Sequence, residues 1–153
     1  AAEMGYVGSV EKVNASLLEA LLKAGFVPVV SPISLLSIDR TPDAPGIINV
    51  NGDPVAGEIA AAVGAKRLVF LTDVAGVSDK AGKVISRLPA QQAEAMIAGG
   101  EISGGMIPKV NASLRALKAG SIARIIDGRI SHVLLKEIEG VLGAKPVTVR
   151  YVS

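Results

Sequence analysis

The chain has no cysteine, and its 153 residues include only two tyrosines, two phenylalanines and one histidine. Without cysteine there can be no disulfide, thiolate nucleophile or Cys-ligated zinc. The same absence fits a reducing compartment, and a cytoplasmic location is the expectation. A lone His132 leaves a histidine metal cluster or a Ser–His pair without partners, so it reads as a first-turn helix residue near the surface. Aromatics make up 3% of a chain that is 50% hydrophobic, so Val, Ile, Leu and Ala must build the core. The longest apolar runs, such as Ile59–Val63 and Leu68–Leu71, fall far short of the ~18 residues of a membrane span. No signal-peptide pattern opens the sequence, and no membrane partner is expected. Sixteen basic and fourteen acidic residues leave a net charge of +2, with no Lys/Arg block or aromatic platform to suggest nucleic acid. The phosphate-binding pattern G-x-x-x-x-G-K-[ST] is also missing.

What is present is an alternation of short apolar runs and helical patterns. Gly5–Val13 predicts a twisted strand or hairpin. Asn14 can cap a helix whose apolar face is Leu17, Leu18, Leu21 and Leu22, with Gly25 closing it. Phe26–Ser31 reads as a short buried strand and Asp39–Gly46 as a loop. Ile47–Val50 is a strand, followed by an alanine-rich helix with Asp53 as N-cap and Pro54 at its first position. Leu68–Leu71 predicts a buried strand, Asp73–Gly82 a loop and Val84-Ile85 a short strand. Helices are expected over Pro89–Ala98, from Met106 or Ile107 to Ala119, and over Ser131–Glu139 capped by Ser131. Further strands are expected at Ile122–Ile126 and Val147–Val152. Strand–helix alternation predicts an α/β protein, three layers α/β/α around one mainly parallel sheet containing Val27–Val30, Ile47–Val50, Leu68–Leu71 and Ile122–Ile126. There is no internal repeat or low-complexity tract.

Three segments could carry chemistry. Asn49-Val50-Asn51-Gly52-Asp53 lies between a strand and a helix, where α/β proteins bind ligands. Read alone it is more often a capped turn, which Asn and Asp routinely form. Ser103-Gly104-Gly105-Met106-Ile107-Pro108-Lys109 puts glycines and then a lysine at the start of a helix. A cation in a first turn opposes the helix dipole at a cost of ~0.3–1 kcal/mol. A phosphate would remove that conflict, and phosphoryl transfer needs a cation there; a solvated surface lysine is the alternative. Thr72-Asp73-Val74-Ala75-Gly76-Val77 follows a buried strand, a position that suits a nucleotide but recurs in many α/β loops.

In this order and spacing, the three segments resemble the acetylglutamate kinases of the amino acid kinase family over nearly the whole chain. Asn-Val-Asn-Gly-Asp stands where that family usually has Asn-Val-Asn-Ala-Asp, and Gly5-Tyr6-Val7-Gly8 looks like its hairpin over the acylated amino acid. The resemblance implies phosphoryl transfer from ATP, with Mg2+ held mainly by the nucleotide phosphates, to the side-chain carboxylate of N-acetylglutamate in arginine biosynthesis. It implies Lys109 and Asp53 as catalytic residues, Lys109 stabilising the transferred group and Asp53 orienting lysine. Asn49 would hold the substrate α-carboxylate with Asn51 beside it. Thr72, Asp73, Val74, Ala75, Gly76, Val77 and Ser78, with Glu101, Ile102, Ser103, Gly105 and Met106, would line the ATP site. No protein-built metal site is implied. Residues 1–64 would end the amino-acid-substrate domain and residues 65–153 form the ATP-binding domain, in a homo-oligomer.

The family's glycine-rich, lysine-bearing opening is missing, and the chain begins Ala1-Ala2-Glu3, so it is expected to be the later part of a longer enzyme and nearly inactive alone. The tail Gly143–Val147 departs from arginine-inhibited members, so inhibition by arginine is not implied. The alternatives are a nucleotide-binding or assembly fragment without activity, or a kinase for another amino acid such as carrier-linked aminoadipate.

Overall fold

The computed structural model describes residues 7–35, 46–140 and 147–150. Its elements run β1 (Val7–Gly8), α1 (Ser16–Lys23), β2 (Ile33–Leu35), β3 (Ile47–Val50), α2 (Gly52–Ala62), β4 (Arg67–Thr72), β5 (Arg87–Pro89), α3 (Ala90–Ala98), α4 (Met106–Lys118), β6 (Ile122–Asp127), α5 (Val133–Glu139) and β7 (Val147–Arg150). The strands form two sheets, ordered β1-β3-β2 and β4-β6-β7-β5. In the first, β3 pairs parallel with β1 and antiparallel with β2. In the second, β4 and β6 pair parallel from Arg67↔Ile122 to Thr72↔Asp127, so both strands end at the same edge. β7 runs antiparallel to β6 and parallel to β5.

The core lies between the second sheet and helices α2, α3 and α4, and it is aliphatic, as the scarcity of aromatic residues requires. Leu88, Ala93, Val110, Ala116, Ala123, Ile125 and Val149 are fully buried. Alanine and glycine on α2 let it lie close against α4. Behind the second sheet, the buried carboxylate of Glu137 on α5 sits 3.0 Å from Arg124 Nε, and Arg67 donates to its backbone oxygen at 3.1 Å. These contacts tie α5 to β4 and β6.

Several expectations need correction. Val27–Val30 is not a strand: none of the described strands pairs with it, and Val29 is 95% exposed. A four-residue apolar run reads the same whether it is paired in a sheet or lies unpaired on a surface. The α/β class holds, but among the described residues the strands fall in two sheets rather than one, with the other three predicted strands divided between them. The N-cap of α2 is Asn51, not Asp53. Helix α5 starts at Val133 rather than Ser131, because the chain first turns back through Ile130 N–H donating to Asp127 O and Val133 N–H to Ile130 O. His132 caps α5 with a left-handed φ of 58°. Val84 makes an isolated bridge to Ser78 rather than a strand with Ile85, and the short β5 was not foreseen. Of Gly5–Val13, strand structure covers Val7–Gly8, with residues 5 and 6 outside the described residues. So are the loop residues 39–45, most of the tail segment 143–147, and residues 151 and 152.

The N-cap of α1 is Ala15, not Asn14, although Asn14 Oδ1 accepts from Ser16 N–H at 3.1 Å, and none of the helix residues is buried. The corrected burial predicts a contrast. Ile125→Ala should cost ~2–5 kcal/mol of stability, as loss of a buried aliphatic side chain does. Val29→Ser should stay within ~0.5 kcal/mol, as surface changes do. Urea unfolding of both variants checks this, and a large loss at Val29 would contradict the exposed placement.

Candidate active site

The turn after β3 is built by its own side chains. Asn51 has an extended backbone, and its Oδ1 accepts from Asp53 N–H at 2.9 Å. That satisfies one of the free amides that begin a helix. Capping by Asn51 leaves the Asp53 carboxylate free, on the second residue of α2. Asn49 is exposed on β3, one residue before the buried Val50.

Helix α4 begins after Gly104, whose φ of +55° suits glycine. Pro108 falls third in the helix rather than first, still among the positions whose N–H has no helical acceptor. Lys109 follows as the fourth residue. Its ammonium donates to Asp53 Oδ2 at 2.9 Å, and the two side chains are 22% and 19% exposed. Lys109 is therefore not a solvated surface lysine. Its conflict with the helix dipole is offset by the Asp53 carboxylate, which itself stands favourably in the first turn of α2.

The helix pairing that brings these residues together is close and parallel. Along α2 and α4 the matched contacts are Asp53 with Lys109, Gly57 with Ala112, and Glu58 with Arg115, whose Nε donates to Glu58 Oε1 at 2.8 Å. Both helix N-termini therefore point toward the same end. Partial positive charge from two helices and the full charge of Lys109 collect there, against one carboxylate. Such an end attracts an anion.

The loop after β4 is closed on itself. Asp79 Oδ1 accepts from the N–H groups of Ala81 and Lys83, both at 2.9 Å, and Ile85 N–H donates to Val77 O. Gly76 is buried with φ 137°, and Val77 is anchored in the core. Across from it, Glu101 and Ile102 N–H both donate to Met96 O, and Ile102 is also in the core. Among the predicted nucleotide-lining residues, the side chains of Val77 and Ile102 are thus packing anchors. Asp73, Val74, Ala75, Glu101, Ser103 and Gly105 are exposed, while Thr72, Ser78 and Met106 are half-buried. Lys80 Nζ reaches Glu101 Oε1 at 3.1 Å and ties the two loops together.

Sequence reasoning missed Asp127 and Arg129. Asp127 ends β6 beside Thr72, and the following Gly128 N–H donates to Thr72 O. Arg129 donates to Asp127 through Nε at 2.9 Å and NH2 at 2.7 Å. Those side-chain bonds, then the Arg129 backbone N–H, lower the Asp127 carboxyl from the ordinary 3.8 to about 2. An Asp-Gly pair directly after an apolar strand was the available signal. Among the described residues no group of three or more His, Asp or Glu side chains could hold a metal.

Two predictions follow from this geometry. Double-mutant cycles with alanine should give ~1–3 kcal/mol of coupling for Asp53 with Lys109, a shielded charged hydrogen bond. Equilibrium unfolding of the single and double variants measures it, and coupling near zero would contradict the pairing. The depressed Asp127 carboxyl adds stability that is complete above its unfolded value and lost as pH falls from ~4 through about 2. Asp127→Asn should therefore flatten the pH dependence of unfolding in that window and nowhere above it.

The family profile described as the amino acid kinase family matches residues 1–127. The acetylglutamate kinase of Dehalococcoides mccartyi is 50% identical over 138 residues, which are 90% of this chain and 51% of that protein. That of a Geobacter species is 44% identical over 137 residues, 89% of this chain and 45% of that protein. The chain thus spans about half the length of these relatives. N-acetylglutamate synthase from Neisseria gonorrhoeae, in complex with coenzyme A and N-acetyl-glutamate, superposes with a TM-score of 0.80 at 21% identity, over 97% of this chain and 33% of that one, a likeness of fold. With two helix N-termini and a lysine–aspartate pair on such a fold, and a family match over most of its length, the chain belongs to the amino acid kinase family.

Proposed function

We propose that this chain forms part of a kinase that transfers the γ-phosphoryl group of MgATP to the side-chain carboxylate of N-acetylglutamate. The observation that carries the reading is the 2.9 Å contact of Lys109 with Asp53 where α2 and α4 begin. The 50% identity to an acetylglutamate kinase supports the choice of acceptor.

A carboxylate acceptor is already ionised near neutral pH, so it needs no general base. One carboxylate oxygen attacks the γ-phosphorus, a new P–O bond forms, and the bond to the β–γ bridging oxygen breaks to release ADP. No covalent enzyme intermediate is required. The remaining task is to hold two anions in line and neutralise the charge that spreads over the transferred oxygens. Lys109 supplies the cation and Asp53 orients it. Asn49 holds the α-carboxylate of the acceptor, with Asn51 shaping the turn. The exposed parts of Thr72–Ser78, with Glu101–Ser103, Gly105 and Met106, line the nucleotide, whose phosphates carry Mg2+. Residues 1–64 serve the acceptor and residues 65–153 the nucleotide. A cytoplasmic location belongs to the same proposal; among the described residues no helix is long and apolar enough to cross a membrane.

A second reading, a nucleotide-binding or assembly fragment, is favoured by one observation. Phe26, Val27 and Val29 before β2, Ile33 and Leu35 on β2, and Ile47 on β3 are each exposed apolar side chains. Self-association that buries them, giving a homo-oligomer, would shield them from water.

The test uses an enzyme that contains this chain, incubated with MgATP and hydroxylamine to trap any acyl phosphate. N-acetylglutamate should give hydroxamate, and glutamate and free aminoadipate much less. Preference for another acceptor would overturn the assignment. Lys109→Ala should lower kcat by about 10²–10³-fold, the scale for losing one donor to transition-state charge. Its circular dichroism should be unchanged, and near-normal turnover would remove Lys109 from the chemistry.

A further inference from the structure

We propose that Gly57 is a positioning residue for this reaction: its missing side chain sets the α2–α4 crossing distance that holds Lys109 against Asp53. A Cβ built on Gly57 would lie 2.9 Å from Ala112 Cβ, 2.9 Å from Ala112 O and 3.0 Å from Ala112 Cα. Two of those three atoms are backbone, so no rotamer change can relieve the clash. Backing off to ordinary carbon contact at ~3.5–4.0 Å requires the helices to separate by on the order of 1 Å.

The site lies one helical turn away along both helices. Asp53 is four residues before Gly57, and Lys109 three residues before Ala112. At 2.9 Å the Nζ–Oδ2 contact is at hydrogen-bond length, and an added ~1 Å takes it beyond hydrogen-bond reach. Neither backbone can yield locally. Gly57 and Ala112 are buried, Ser113 Oγ donates to Lys109 O at 2.8 Å, and the Glu58–Arg115 pair ties the helices on the far side. Glycine weakens a helix interior by ~0.5–1 kcal/mol relative to alanine, so local propensity does not favour it here; the close approach does.

The inference rests on the kinase reading for its chemical meaning, but its test does not require turnover. In the 153-residue chain, the Lys109 ammonium should exchange slowly with water in ¹⁵N–¹H spectra because Asp53 holds it. Gly57→Ala should speed that exchange by about tenfold or more, the scale for losing a charged hydrogen bond. Adding Ala112→Gly removes one of the three close atoms and leaves the backbone O and Cα in place, so Gly57→Ala with Ala112→Gly should stay about as unprotected as Gly57→Ala alone. Ala60→Gly, a buried change on the same helix, should lower the melting temperature and leave Lys109 protected.

In the active enzyme Gly57→Ala should lower kcat with KM for ATP little changed, and adding Ala112→Gly should not restore it. A protected Lys109 in Gly57→Ala, a restored one in the double variant, or equal loss in Ala60→Gly would each overturn the proposal. If Gly57→Ala does not fold in buffer, the same exchange measured in sucrose, which favours the compact state, decides: a folded chain with Lys109 unprotected supports the inference, and any other result overturns it. Failure of the kinase reading would show differently, as absent acyl phosphate with the exchange pattern intact.

Discussion

The close, parallel packing of α2 on α4 is the constraint on which the site depends. It connects a helix that leaves the first sheet to one that covers the second. The approach is possible because glycine and alanine meet where the helices come nearest, at Gly57 and Ala112. Larger side chains would bury more apolar area at that point, but they would move every group carried by the two helices. Small residues here exchange burial for position.

Parallel helices with adjacent N-termini carry an electrostatic cost, because their dipoles repel and Lys109 adds a full charge to the same end. Asp53 offsets part of it. The balance is one carboxylate against one ammonium and two partial charges, which leaves the region net positive. Glu58 and Arg115, farther along the same helices, form a second pair and hold the crossing in register. A nucleotide's γ-phosphoryl group, as a bound anion, would complete the neutralisation, and its negative charge matters most while it is being transferred.

Much of this was legible in the sequence for reasons that can be named. Long elements with clear punctuation, such as the helix closed by Gly120 and the apolar strand before Thr72-Asp73, stand where the patterns put them. The pairing of the Asn-rich turn with the glycine–lysine segment was expected from resemblance alone; nothing in residue spacing brings Asp53 to Lys109 across 56 positions. The run at Val27–Val30 failed because exposure depends on neighbours that local composition does not encode. Asn51 took the cap that Asp53 was expected to make, since two candidate caps in five residues cannot be ranked without backbone geometry. Asp127 and Arg129 were passed over because their pairing is a turn contact, visible once the chain bends at Gly128. Gly57 lay unnoticed in an alanine-rich helix, where its small size matters only against the second helix.

The central proposal is that Lys109, held by Asp53, stands beside the phosphoryl group as it is transferred at the shared N-terminal end of α2 and α4. The most direct measurement is the ¹⁵N shift of the Lys109 ammonium in an enzyme containing this chain, titrated in parallel with MgADP and with a non-hydrolysable MgATP analogue. The account predicts a clear change with the triphosphate analogue and little with MgADP, because only the former places a γ-phosphoryl group beside Lys109. Equal changes with both nucleotides, or none with either at saturation, would contradict it.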